Sequence, residues 1–234
     1  IRDRSRGALG VLAGPLNIGV IPTIAPYILP SLLKLIEDEF PDLEPRLVEN
    51  QTEELLLRLR DGQIDVAVLA TPTDATGVCE IPLYEEAFAI VTSPDHPAAG
   101  RGDLDLNALK DLELLLLDDG HCLRDQIVEL CKIAEVNRTP GAQSVTRAAS
   151  LTTVVQLVVA GLGSTLVPVS ALSTECARPG LAIASFGPGV DAKRTVGLVM
   201  RASSRRRPEF EQLGELVSRA FEQATESSRK LLPR

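Results

Sequence analysis

The alternation of apolar and polar positions over residues 14–70 predicts strands and helices in turn. "GPLNIGVI" (14–21) and "LEPRLVEN" (43–50) alternate as half-buried strands do. Between them a helical stripe is formed by Leu29, Leu32, Leu33 and Ile36. A second helix is expected from Thr52 to Arg60, and the apolar run "IDVAVLA" (64–70) predicts a third strand. Strand–helix–strand repetition indicates parallel pairing through crossover helices, so an α/β fold is expected.

The rest of the chain continues the same alternation. Further strands are expected at 86–93, 112–117, 142–147 and 192–200, and one starting at Ser164. Ser150 is expected to cap a helix that runs to Ala160. A C-terminal amphipathic helix is indicated by Phe210, Leu213, Leu216, Val217, Ala220 and Phe221. The final "ESSRKLLPR" is expected to be loosely held.

Composition and charge exclude two classes of protein. The chain has 234 residues, 44% of them apolar and 24% charged, which is ordinary for a globular protein. Its net charge of −8 makes it a poor nucleic-acid binder by itself, because phosphate contacts need clustered Lys and Arg. Two uncharged stretches, 8–33 and 148–174, are interrupted by prolines or polar residues. They predict buried strands and helices rather than membrane spans.

Two cysteines of "DDGHCLRDQIVELC" (118–131) lie nine positions apart on one predicted helix that starts near His121 or Cys122. Nine helical residues rise about 13.5 Å and turn through roughly 900°, which places Cys122 and Cys131 on opposite faces. A disulfide needs Cα atoms within about 7 Å. The two cysteines therefore bond only if the helix between them unwinds.

The residues around Cys122 are compatible with two roles for this cysteine. A helix N-terminus, His121 and Arg124 favour a reactive thiolate, while the opposing charges are Asp118, Asp119 and Asp125. A thiolate oxidised by peroxide to sulfenic acid condenses with a second thiol, and Cys131 is the nearest in sequence. In the alternative role, Cys122 and Cys131 are unrelated residues of the core. With four cysteines in a chain of this size, a reduced, cytoplasmic protein is expected.

Other kinds of site find little support. A C-x8-C spacing is unusual for zinc, and the chain's only histidines are His96 and His121. The sequence contains neither C-x-x-C nor G-x-S-x-G, and "GLGSTL" lacks the dinucleotide fingerprint. No metal and no cofactor are expected.

"DGHCLRDQ", with a cysteine nine residues after its first, resembles the redox helix of the OxyR-type, hydrogen-peroxide-sensing members of the LysR-type transcriptional regulators. "GPLNIGVIPTIAPYILP" is similar to the start of their regulatory domain. "LRDGQIDVAVLA", "SLTTVVQLVVAGLGSTLVP" and "KRTVGLV" resemble the general LysR effector-domain pattern. The resemblance extends from Gly14 to about Phe221.

The resemblance implies two Rossmann-like α/β subdomains joined by two crossover strands, as in type II periplasmic binding proteins. Subdomain I is expected at 10–88 plus 194–234 and subdomain II at 89–193. Residues 1–9 are expected to be the remnant of a linker, with an N-terminal winged helix-turn-helix DNA-binding domain absent from this chain.

The resemblance also assigns roles to residues. It implies that Cys122 is the peroxide-reactive thiol and that Cys131 resolves it as a disulfide. It places five residues at the peroxide pocket: Thr23, Thr52, His121, Arg124 and Asp125. Such a pocket is reasonable, because hydrogen peroxide is small, neutral and rich in hydrogen-bonding sites. Thr52 has the alternative role of a helix N-cap. Cys79 and Cys176 are expected to be structural.

The implied function is control of oxidative-stress genes by a redox-driven change of shape and oligomer packing. The expected partners are hydrogen peroxide, further copies of the chain (a regulatory-domain dimer, and a tetramer of the full-length protein) and promoter DNA through the missing domain. Neither a membrane nor an enzymatic activity is expected. Two alternatives remain: a LysR-type small-molecule effector domain with bystander cysteines, and a thiol peroxidase.

Overall fold

A computed structural model describes residues 12–136 and 148–233. These residues form two compact units. The first contains 12–85 and 195–224, and the second contains 86–136, 148–194 and 225–233. Each unit combines helices with strands, so the predicted α/β class is confirmed.

The first unit opens with the five predicted elements. They are β1 (Gly14–Val20), α1 (Ala25–Glu39), β2 (Leu43–Glu49), α2 (Thr52–Arg60) and β3 (Val66–Thr71). β1 pairs in parallel with both β2 and β3, as the crossover helices require. Gly19 allows α2 to pack closely on this sheet, because a Cβ there would lie 2.9 Å from Leu55 Cδ2 and 2.8 Å from Ile64 Cδ1. The carboxyl ends of β1 and β2 therefore share one edge of the sheet.

Two strands pass from one unit to the other. They are β4 (Val78–Thr92), which enters the second unit at Glu86, and β7 (Lys193–Arg201), which leaves it after Arg194. β7 pairs antiparallel with β3. These strands match the expectation of two crossover connections.

The second unit places two short strands beside β4. A 3₁₀ turn (Leu106–Asp111) is followed by α3 (Cys122–Ile133), α4 (Leu151–Val159), β5 (Thr165–Pro168), α5 (Leu172–Glu175) and β6 (Ala182–Ser185). β5 and β6 both pair antiparallel with β4. The predicted cap of α4 is confirmed, since the Ser150 hydroxyl accepts a hydrogen bond from Thr153 N at 3.2 Å.

The strand predicted at 112–117 is wrong as a continuous element. Only isolated parallel bridges occur there, Leu114 to Ser164 and Leu117 to Ala148. Backbone bonds tie Leu115 N to Ser164 O and Asp118 N to Ala148 O, so the segment is held at separate points. The strand predicted at 142–147 lies outside the described residues.

The C-terminal helix α6 (Arg207–Arg229) belongs to both units. Its last turn is not loosely held: Thr225 and Ser228 are fully buried. The Ser228 hydroxyl accepts a hydrogen bond from Ser173 N at 3.0 Å. Through this contact residues 225–233 belong to the second unit, whereas the resemblance implies all of 194–234 in subdomain I. Residues 86–88 and 194, also expected in subdomain I, belong to the second unit as well.

A candidate thiol site at the start of helix α3

Cys122 is the first residue of α3, and His121 is its N-cap. Cys122 is half-buried, whereas the opposite side of the helix is packed into the unit through Leu123, Ile127, Leu130 and Cys131. The apolar spacing of these residues is what makes the segment a helix and orients it. The more accessible thiol is thus at a helix N-terminus, where the helix dipole favours a thiolate.

The turn before α3 is tied to the helix by Arg124. Its Nη1 donates to Leu117 O at 3.2 Å, and its Nε forms an ion pair with Asp119 Oδ1 at 2.9 Å. Arg124 N also donates to His121 O at 2.9 Å. Arg124 therefore supplies the cation of this segment and also fixes the turn that presents Cys122.

His121 is buried, and that burial lowers the pKa of its imidazole, with the Asp118 carboxylate opposing the shift. The lowered pKa means that His121 is neutral at pH 7. Of the two cations expected beside Cys122, Arg124 is consequently the one charged at that pH. Asp125 is exposed in the first turn of α3, so its carboxylate lies in solvent.

Cys131 differs from Cys122 in its surroundings. It is 2% exposed, and burial raises the pKa of its thiol to about 11. All four cysteines of the chain are thiols. Because α3 is an unbroken helix from Cys122 to Ile133, nine residues separate the two thiols by a rise of about 13.5 Å. The structure holds the pair apart, as the spacing predicts.

Raising the pH above about 9 is expected to destabilise the reduced chain through Cys131. Since folding raises the pKa of this thiol from 9.0 to about 11, its contribution is complete below pH 9 and is lost as the pH rises through 11. The loss is about 1 kcal/mol at pH 10. Urea unfolding at pH 8 and pH 10 measures it. Cys131→Ala should reduce the loss of unfolding free energy between pH 8 and pH 10, whereas Cys176→Ala should keep the share of that loss that comes from Cys131. If the loss is unchanged in Cys131→Ala, the assignment to Cys131 is wrong.

The two predicted pocket threonines lie in the first unit. Thr23 is buried between β1 and α1, and Thr52 is the first residue of α2, so both follow the carboxyl ends of adjacent parallel strands. The alternative role of Thr52 as an N-cap is wrong, because Gln51 occupies that position. The Thr52 hydroxyl is buried without a hydrogen-bond partner in the described part of the chain.

Unpaired buried polar atoms point to one further residue, Gln126, that was not predicted from the sequence. Within residues 12–136 and 148–233, three side-chain atoms have this property: Thr52 Oγ1, Asp118 Oδ1 and Gln126 Oε1. Two of the three flank Cys122. Such groups require an explanation, for example a ligand or water. The sequence held one signal for Gln126: it stands four positions after Cys122, on the same face of the helix.

The described residues contain no cluster of His, Cys, Asp and Glu able to hold a metal ion. Within the same part of the chain, no helix has the length and apolar character needed to cross a membrane.

Comparison with known proteins identifies the family. A sequence model of the LysR substrate binding domain matches residues 10–222. The chain belongs to this family. Within it, a relative named "Probable hydrogen peroxide-inducible genes activator" from Mycobacterium leprae is 43% identical over 211 residues, which cover 88% of this chain and 67% of the relative. The chain thus spans about two thirds of such relatives.

Solved OxyR structures share this fold. An H2O2-bound mutant of Corynebacterium glutamicum OxyR has a TM-score of 0.92 and 59% identity, covering 94% of this chain and 69% of that chain. The oxidized form of the same protein has a TM-score of 0.84 and 58% identity, covering 95% and 69%. The resemblance to OxyR-type regulators and the type II periplasmic-binding-protein-like fold class are confirmed. The LysR substrate-binding chain described here is a relative of proteins named as transcriptional regulators and gene activators.

Proposed function

We propose that this LysR substrate-binding domain is the redox-sensing regulatory domain of a peroxide-responsive transcriptional regulator. Cys122 reacts with hydrogen peroxide, and Cys131 then closes a disulfide. The observation that carries the proposal is the placement of the two thiols: one half-buried at the N-terminus of the helix that also carries Arg124 in its first turn, the other buried nine residues along the same helix. The likeness to peroxide-inducible gene activators supports it.

The proposed chemistry is a two-electron oxidation followed by condensation. The Cys122 thiolate attacks one oxygen of hydrogen peroxide, the O–O bond breaks, and the second oxygen leaves as hydroxide, which takes a proton to form water. Sulfur is oxidised to sulfenic acid as peroxide is reduced. The Cys131 thiolate then attacks the Cys122 sulfur, the S–S bond forms as the S–O bond breaks, and the sulfenic hydroxyl leaves as hydroxide, which takes up a proton to form a second water.

The disulfide acts as a change of shape because α3 must open to allow it. The Cα atoms need to approach within about 7 Å, whereas the intact helix keeps them about 13.5 Å apart along its axis. Opening removes Leu123, Ile127 and Leu130 from their packed positions. A bond that closes a loop of about ten residues contributes roughly 2–3 kcal/mol, which biases the helix towards its open form.

The peroxide pocket is proposed to include Thr23, Thr52, His121, Arg124 and Asp125. The support differs among them. Arg124 supplies a fixed positive charge at the thiol's helix turn, and Thr52 offers a buried hydroxyl with an unused hydrogen-bonding capacity. His121 offers a neutral ring. Asp125 has the least structural support of the five, because its side chain is exposed to solvent.

The remaining assignments are also proposals. The two compact units correspond to regulatory subdomains I and II, and residues 1–9 to the end of a linker from a DNA-binding domain. The full-length regulator acts in the cytoplasm as a tetramer built on regulatory-domain dimers, and it binds promoter DNA through that other domain. It senses peroxide once per oxidation and is not an enzyme.

The experiment is to treat the reduced chain with stoichiometric hydrogen peroxide and to map its disulfides by mass spectrometry. A Cys122–Cys131 link is expected, with Cys79 and Cys176 still reduced. If Cys122 stays unmodified and no link forms, the proposed mechanism is wrong. An unchanged transcriptional response of Cys122→Ser in the full-length regulator points instead to a small-molecule effector domain. Repeated turnover with a thiol reductant at the rate of the first oxidation points to a thiol peroxidase.

Thr52→Val tests the pocket role of a buried hydroxyl that has no hydrogen-bond partner among the described residues. Removing an unpaired buried hydroxyl is expected to raise the free energy of unfolding by about 1 kcal/mol. The same change should slow oxidation of Cys122 about tenfold, if the hydroxyl bonds peroxide as one hydrogen-bonding group. Urea unfolding and stopped-flow oxidation measure the two effects.

The matched control is Thr152→Val near the start of α4. The Thr152 hydroxyl donates to Glu175 Oε1 at 2.9 Å, so its removal should lower stability and leave the oxidation rate unchanged. A Thr52→Val chain that reacts with peroxide at the original rate refutes the pocket role of Thr52.

A further inference from the structure

The side-chain oxygen of Gln126 is buried, and no described residue donates a hydrogen bond to it. Gln126 lies four residues after Cys122 in α3, so the two side chains are neighbours on one face of the helix, with Cβ atoms about 5–6 Å apart. A buried amide oxygen left unpaired weakens the fold. An acceptor in this position therefore suggests that a donor arrives in another state of the site.

Oxidation of Cys122 creates such a donor. The thiol offers only a weak S–H group, whereas sulfenic acid carries an O–H group on an oxygen bonded to the same sulfur. The unused acceptor beside Cys122 thus matches the oxidised side chain better than the reduced one. The nearby Asp118 Oδ1 has the same unpaired state, but it precedes the helix and belongs to a charged group beside His121.

We propose that Gln126 is a positioning residue that accepts a hydrogen bond from the Cys122 sulfenic acid and keeps it neutral until Cys131 reaches it. The inference rests on the proposed function, since peroxide must first oxidise Cys122. It deepens that function by assigning how the site chooses between a disulfide and further oxidation.

Protonation of the sulfenic acid decides between those two outcomes. An acceptor bonded to the O–H group stabilises the neutral acid and disfavours its anion. The neutral acid is the form that condenses with a thiolate, because its oxygen leaves as water. The anion attacks a second hydrogen peroxide: a second S–O bond forms, the O–O bond breaks, and the products are the sulfinate anion and water. The sulfinic state is irreversible in most proteins.

The site needs this protection because Cys131 is not ready to react. It is buried in intact α3, and closure of the disulfide waits for the helix to open. Meanwhile the N-terminus of α3 favours the sulfenate anion, and the Arg124 side chain, two residues along, is paired with Asp119. His121 and Asp118 flank the same turn, and Asp125 lies in solvent. The neutral acceptor of Gln126 opposes this effect of the helix N-terminus.

The experiment uses the Cys131→Ser chain, in which the sulfenic acid has no resolving partner. It is treated with one equivalent and with excess hydrogen peroxide, and the Cys122 products are counted by intact mass after trapping sulfenic acid with a cyclic dione. Gln126→Met is expected to raise the ratio of sulfinic to sulfenic acid about tenfold, the effect of losing one hydrogen bond. Gln126→Glu keeps an acceptor oxygen and should hold that ratio within about twofold, even though its charge slows the first oxidation.

Two further variants separate a local role from loss of folding. Gln126→Ala, a strong helix former, should give the same rise as Gln126→Met. Gln212→Met, which changes a half-buried glutamine of α6 whose Nε2 donates to Pro208 O, should leave the ratio unchanged. Circular dichroism confirms folding of each. If both Gln126→Met and Gln126→Ala keep the original ratio, the inference is wrong while the proposed function stands. If the Cys131→Ser chain forms no sulfenic acid at Cys122, the proposed function itself fails.

Discussion

Replacing Cys122 by serine is expected to abolish the peroxide-induced disulfide completely. A serine hydroxyl is not ionised near pH 7 and does not reduce peroxide, whereas a thiolate favoured by a helix N-terminus does. The change is small in volume, so α3 should keep its helix and its packing. Mass spectrometry after peroxide treatment should show the Cys122–Cys131 link in the original chain and none in Cys122→Ser.

The chain supplies its own controls for this prediction. Cys176 is 5% exposed, and its pKa is raised to about 12 by burial, with Glu175 adding to the shift and Arg178 opposing it. Cys176→Ser should therefore leave disulfide formation intact. Cys79 is half-buried and accepts a 3.8 Å contact from Arg207 Nη1, so Cys79→Ser tests whether another thiol beside a guanidinium reacts. Loss of the link in Cys79→Ser would mean that the assignment to Cys122 is wrong.

The helices and strands that could be predicted from the sequence are those with a regular spacing of apolar residues within a single segment. The stripes that define α1, α2, α3 and α6 and the alternation of β1 and β2 arise from the side chains of each segment alone. The start of α3 at Cys122 and the cap of α4 at Ser150 follow from residues within a few positions. The separation of Cys122 and Cys131 was predictable without tertiary contacts, because one helix contains both.

Features that depend on partners distant in sequence were not predictable in this way. The apolar run at 112–117 looks like a strand, but its pairing depends on residues near 148 and 164. The last turn of α6 reads as a polar end, yet Ser228 is buried through a contact with Ser173. The unpaired oxygens of Thr52, Asp118 and Gln126 are visible only once burial is known.

The buried ion pair between Glu86 and Arg194 is a further such feature, and it carries the largest expected effect on stability. Both side chains are fully buried, and Arg194 Nη2 lies 2.7 Å from Glu86 Oε2. Arg194 Nε donates to the same oxygen at 2.9 Å, and Ser170 N donates to Glu86 Oε1 at 2.9 Å. The pair joins β4 to β7 within the second unit, at the residues where these strands enter and leave it.

Glu86→Leu is expected to lower the free energy of unfolding by about 3–5 kcal/mol, because it leaves a buried guanidinium without its counter-charge. Arg194→Met should lower the free energy of unfolding by a similar amount, because it leaves the buried Glu86 carboxylate without a counter-charge. The double variant should lose much less than the sum of the two, since a well-packed apolar pair removes both buried charges. Urea unfolding of all four chains measures this coupling. Glu211→Ala, which breaks the exposed pair with Arg207, is the control and should leave stability almost unchanged. If the two losses of unfolding free energy simply add in the double variant, Glu86 and Arg194 do not interact energetically. The ion pair would then not be what holds β4 and β7 together.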